Sequence, residues 1–182
     1  DLVDAFHRGL STAGVLGCAK HFPGHGDTNQ DSHLELPVIN HGRSRLDQLE
    51  LVPFRRLIDT GIASVMTAHL LIPALDDAQP ATLSSAVLTD LLRAELGFSG
   101  LVVTDALVME AISARLGPGE AAVQAFAAGA DLILMPADAD AAIDAICAAL
   151  ADGRVGECRL TESLHRRMQA LQRCDKPSRS EV

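Results

Sequence analysis

Residues Lys20 to His33, KHFPGHGDTNQDSH, set one lysine, three histidines and two aspartates on a stretch broken by glycine and proline. Three kinds of chemistry fit it. A polar surface loop could carry these side chains with no role at all. His21 and His25 have the four-residue spacing of a helical metal-ligand pair, but Pro23, Gly24 and Gly26 forbid a helix there, and no HExxH motif or cysteine partner accompanies them. Asp31 and His33, two residues apart, suit acid/base work: a carboxylate that accepts one imidazole proton orients the ring, favours its protonated form and leaves the other nitrogen for a substrate.

A second candidate lies in LVVTDALVMEAI, residues 101–112, where an apolar strand ends abruptly in Asp105. An acid in that place can cap the helix that follows. It can equally be a nucleophile, because a carboxylate at the top of a buried strand is held rigidly at the mouth of a sheet.

The elements that would position these groups follow from hydrophobic periodicity and breakers. Short apolar runs predict strands at 15–19, 63–67, 101–104 and 131–135, each buried on both faces as in a parallel sheet. Helices are expected at 46–59, 85–95, 119–128, 139–150 and 161–172, with Gly61, Gly97, Gly129 and Gly153 as left-handed caps past their ends. The order is α/β, one domain over 1–175, followed by a polar tail, 176–182. Four strand–helix units of roughly 45 residues compare with about 250 for a closed eight-stranded barrel. Either the sheet is open or half of a barrel lies elsewhere. Lys20, His21, His69 and Asp105 all fall at the carboxyl ends of strands, where both architectures keep their active sites.

Bulk properties narrow the partners. The 182 residues are 48% hydrophobic and 21% charged, with 15 basic against 24 acidic side chains and a net charge of −9. No concentrated positive field exists for a polyanion, and without Trp or Tyr there is no stacking platform for bases, so nucleic acid is not an expected ligand. No apolar run is long enough for a bilayer span. Cys18, Cys147, Cys158 and Cys174 show neither CxxC nor tight spacing, which favours reduced thiols and a cytoplasmic setting. No metal or other cofactor is expected.

The segments AKHFPGHGDTNQDSHLELP and VVTDALVMEAI together resemble the signature pair of glycoside hydrolase family 3, in its bacterial β-N-acetylhexosaminidase branch. VMTAHLLIPALD between them and AGADLILMP after them resemble the same branch, in the same order. The resemblance implies a (β/α)8 TIM-type barrel whose fifth to eighth strands are the four seen here, with the N-terminal half upstream of Asp1 as partner. It implies that Asp105 is the nucleophile, that His33 with Asp31 is the acid/base dyad, and that Lys20, His21 and His69 belong to the sugar-binding set. The implied activity is retaining hydrolysis of terminal β-linked N-acetylglucosamine from cell-wall or chitin-derived oligosaccharides, with the isolated segment inactive. A β-glucosidase or broader β-glycosidase of the same family is the alternative, and a non-catalytic sugar-binding fragment is a third reading.

Overall fold

A computed structural model describes residues 2–28 and 35–174. Strands β1 (Cys18–Phe22), β2 (Ser64–Thr67) and β3 (Leu101–Val103) pair in chain order as one parallel sheet. Cys18 stands opposite Ser64, and Ser64 opposite Leu101, with an irregularity between Ala19 and Phe22. Helix α1 (Leu2–Thr12) precedes β1; α2 (Arg43–Gln48) and α3 (Val52–Asp59) cross to β2; the helix Ala86–Glu95 crosses to β3. Then come α4 (Glu110–Ser113), α5 (Pro118–Ala128), α6 (Ala139–Ala151) and α7 (Glu157–Cys174). Parallel neighbours need such crossovers, and the α/β order expected from the sequence is the one observed. The four glycines expected past helix ends all have positive φ.

Several expectations need correction. Strand β1 begins at Cys18, three residues later than predicted, after a turn in which Gly14 takes a φ of 75°. The single helix expected at 46–59 is two, because Pro53 lacks an amide hydrogen and sits in the first turn of a new helix. Helix α1 lies outside the expected elements, although Leu2, Val3, Phe6 and Leu10 are spaced for one helical face. The run 131–135 lies beside β3 but joins it by one bridge, Val103 to Leu132. Beyond that bridge the Leu134 N–H donates to the Thr104 hydroxyl (2.8 Å) instead of a backbone carbonyl, and Met135 turns to a φ of 43°.

The strands are not buried on both faces. Ala19, Phe22, Val65, Thr67, Val102 and Thr104 point into the helix layer and are buried, Phe22 stacking edge-on against Phe54 of α3 at 5.1 Å. Their alternates, Cys18, Lys20, Ser64, Met66, Leu101 and Val103, are exposed or half-buried. Alternation of side chains makes this a sheet with one covered face among the described residues. Apolar side chains are also exposed at its flanks, Leu2 and Phe6 on α1 and Leu164, Met168 and Leu171 on α7. No helix among the described residues is long and apolar enough to cross a membrane.

One buried carboxylate ties the layers together at the amino ends of the strands. The Asp131 side chain is fully buried, and Arg93, Arg159 and Arg166 reach it at 2.6, 3.0 and 3.1 Å. Ser163 and the Val102 N–H also donate to it, each at 3.0 Å. Burial lowers Arg93 to about 10, against the pull of Asp131, so its guanidinium stays charged at neutral pH. Asp131→Ala would leave three partly buried cations without their shared anion, and removal of one member of a buried pair costs about 3–5 kcal/mol. Chemical denaturation should register that loss; a shift under about 1 kcal/mol would deny Asp131 this role.

Candidate active site

Asp105 is the second residue past β3, and the alternation that buries Val102 and Thr104 turns it toward the less covered face. Its backbone is held on one side by the 132–135 run: the Thr104 N–H donates to Leu132, Leu107 to Leu134 and Val108 to Met135, each at 3.0 Å. The carboxylate is fixed as well, since the Ala106 N–H donates to Asp105 Oδ1 at 2.8 Å. The other oxygen, Oδ2, stands 3.7 Å from His21 Nε2, too far for a direct hydrogen bond. Both side chains remain partly open to solvent. Burial, the largest influence, holds the His21 imidazole below its usual range despite the neighbouring Asp105 charge.

Lys20 and His21 come from the last turn of β1, with Lys20 exposed on the same face as Cys18. The following turn is packed tightly. Gly24 has a φ of 139°, and a β-carbon there would lie 2.8 Å from Glu50 Cβ, so the chain needs glycine at this position twice over. Asp27 is anchored to the α2 region: His41 Nε2 lies 2.6 Å from its Oδ2, and Arg45 donates to the same oxygen at 3.4 Å. The His41 contact, foremost, keeps the Asp27 carboxyl below its ordinary range. The ring of His25 meets that of His21 edge-on at 6.0 Å. Among the described residues no three His, Cys, Asp or Glu side chains gather as a metal site. Asp31 and His33 lie outside the described residues.

His69 differs from the expected sugar contact. It is 1% exposed, and both ring nitrogens are engaged within the chain: Nε2 with the Ala106 carbonyl at 3.0 Å, Nδ1 with the Thr82 hydroxyl at 2.8 Å. The sequence alone did not single out Thr67, Thr82 or Thr104, all fully buried. Threonine in an apolar run is also an ordinary strand residue, so nothing in the local pattern marked them.

The description of the glycosyl hydrolase family 3 N terminal domain matches residues 1–170. The chain belongs to glycosyl hydrolase family 3. The β-hexosaminidase A of Pseudoalteromonas piscicida is 44% identical over 141 residues, covering 71% of this chain and 24% of that protein. A family 3 β-N-acetylglucosaminidase from Paenibacillus sp. str. FPU-7 superimposes with a TM-score of 0.91 at 52% identity, over 94% of this chain and 33% of that one. A β-glucoside phosphorylase bound to 2FGlc superimposes with a TM-score of 0.89 at 27% identity, over 98% of this chain and 34% of that one. The chain thus spans about a quarter to a third of the length of these three proteins.

His21 and His69 give the stability of the fold a defined pH dependence. Burial is the largest influence on His69 too and lowers its pKa, opposed by the Ala106 carbonyl and by Asp105. An ordinary imidazole titrates near 6.5. Below that value the unfolded chain takes up protons that the folded chain refuses, so stability is fully present above 6.5 and declines as pH falls toward the lowered folded pKa values. Thermal unfolding between about pH 7.5 and about pH 5.5 should show the midpoint falling, with a shallower fall in His69→Gln. An identical slope in the variant would remove His69 from the effect.

Proposed function

We propose that this chain forms part of a retaining β-N-acetylglucosaminidase in which Asp105 is the nucleophile, His33 supported by Asp31 is the acid/base, and Lys20 and His21 hold sugar hydroxyls. The observation that carries the proposal is the placement of Asp105. It is a rigidly held, partly open carboxylate at the carboxyl end of a parallel strand, with one oxygen fixed by Ala106 and the other 3.7 Å from His21 Nε2, beyond hydrogen-bond distance. A sugar hydroxyl resting across His21 Nε2 and Asp105 Oδ2 would find a partner in each.

In this mechanism Asp105 attacks the anomeric carbon while the His33 imidazolium gives its proton to the departing glycosidic oxygen. A covalent glycosyl–Asp105 ester forms. Neutral His33 then removes a proton from water, the water oxygen attacks the same carbon, and Asp105 leaves as a carboxylate with the anomeric configuration retained. Retaining enzymes with two carboxyl groups hold them about 5–5.5 Å apart, and an imidazole in place of one would serve the same proton transfers. N-acetylglucosaminide is favoured over glucoside because identity is 52% to the Paenibacillus β-N-acetylglucosaminidase and 27% to the β-glucoside phosphorylase. The β-glucosidase or broader β-glycosidase reading keeps the same Asp105 chemistry and rests on the second of those likenesses.

We further propose that residues upstream of Asp1 supply the first four strands of a (β/α)8 barrel. The uncovered sheet face and the exposed apolar side chains of α1 and α7 at its flanks support this, since unpaired strand edges and bare apolar faces are costly in water. The 182-residue chain alone is then inactive; measurable turnover of an aryl N-acetylglucosaminide by it would refute this part. In the full-length protein Asp105→Ala should abolish turnover, losing about 10⁴-fold or more, and should form no glycosyl adduct with a fluorosugar seen by mass spectrometry. His33→Ala should slow substrates with poor leaving groups about 10²–10⁴-fold and activated aryl substrates far less. Equal rates on unactivated substrates would take His33 out of the mechanism.

A further inference from the structure

His69 is completely enclosed, yet it spends both ring nitrogens on polar partners next to Asp105. A carbonyl oxygen can only accept, so the bond to Ala106 requires the hydrogen on Nε2. Enclosure keeps the ring neutral at pH 7, which leaves Nδ1 as an acceptor for the Thr82 hydroxyl at 2.8 Å. The Thr82 oxygen lies 2.8 Å from the Thr67 hydroxyl and 3.0 Å from the Ala68 carbonyl, and Thr67 and Thr82 are themselves fully buried. The single hydrogen of the Thr82 hydroxyl is shared between His69 Nδ1, at the shorter distance, and the Ala68 carbonyl; when it points to Nδ1, donation runs from Thr67 at the end of β2 through Thr82 and His69 to the backbone just past Asp105.

We propose that His69 is a positioning residue for Asp105: its Nε2–H holds the Ala106 carbonyl from the β2 side, while the 132–135 run holds Thr104, Leu107 and Val108 from the other. The inference rests on the reading of Asp105 as nucleophile. With the backbone gripped from both sides, the Ala106 N–H stays on Oδ1 and Oδ2 keeps one direction, toward the gap shared with His21. Without His69 the Ala106 carbonyl loses its partner and the Asp105–Ala106 turn can rotate. A displacement near 1 Å at a reacting atom can cost about 10²-fold in rate.

The test uses the full-length protein and an aryl N-acetylglucosaminide. His69→Leu, which fills the space without a donor, should lower kcat about 100-fold and change KM less than about threefold. His69→Gln, whose amide nitrogen can reach the same carbonyl, should recover kcat to within about tenfold of wild type. Thr82→Val, which leaves the ring but removes its partner, should fall between them. A folded His69→Leu with wild-type kcat, or Leu and Gln variants equally impaired at equal thermal midpoints, would overturn the proposal. Should His69→Leu not fold, the other two variants decide. High kcat in His69→Gln with reduced kcat in Thr82→Val supports the chain of bonds, and wild-type kcat in Thr82→Val overturns it. Asp105→Ala, run in parallel, separates the two levels: turnover retained there defeats the nucleophile reading, whereas an inert Asp105→Ala beside a fully active His69→Leu defeats this inference alone.

Discussion

Side chains of a strand alternate, and among the described residues helices cover one face of the sheet. Burying Val65, Thr67, Val102 and Thr104 against that layer leaves no choice for their neighbours. Lys20, Met66, Val103 and Asp105 are turned the other way, toward the uncovered face. A slip of one residue in β3 would send Asp105 into the apolar layer and Thr104 out of it, so the packing of the core and the direction of the carboxylate are one fact.

The two ends of the same strands are built differently. At the amino end, Asp131 joins β3, α7 and the helix Ala86–Glu95 through three arginines, the Ser163 hydroxyl and the Val102 N–H, an arrangement that holds the layers in place. At the carboxyl end, by contrast, the groups are deliberately incomplete: His21 and Asp105 stand near each other without bonding, and Lys20 is exposed. Parallel α/β sheets divide their labour in this way because all strand ends of one polarity lie together, and the loops that leave them converge.

Much of the fold was legible in the chain itself. Helices Ala86–Glu95, α5 and α6 fall within a residue of their expected bounds because periodic apolar runs, alanine-rich in α5 and α6, are ended by Gly97, Gly129 and Gly153 and so carry both propensity and stop signals. Pro53 divides what periodicity alone reads as one helix, and α1 lies outside the expected elements. The fourth strand misled for another reason. Its residues are apolar enough, but whether a backbone N–H meets a carbonyl or a threonine hydroxyl is settled by the neighbouring chain.

The sequence by itself determined that this is an α/β chain, that its chemistry-bearing residues leave the carboxyl ends of strands, and that Asp105 terminates one of them, because periodicity and turn residues are local properties. Only the tertiary structure decided what those residues touch. That His69 faces inward to Thr82 and the Ala106 carbonyl, that His21 stops 3.7 Å short of Asp105, and that Asp131 gathers three arginines are all contacts between residues far apart in the chain. Hydrogen bonds and ion pairs of that kind depend on distances of a few ångströms set by packing, and no spacing along the polypeptide encodes them.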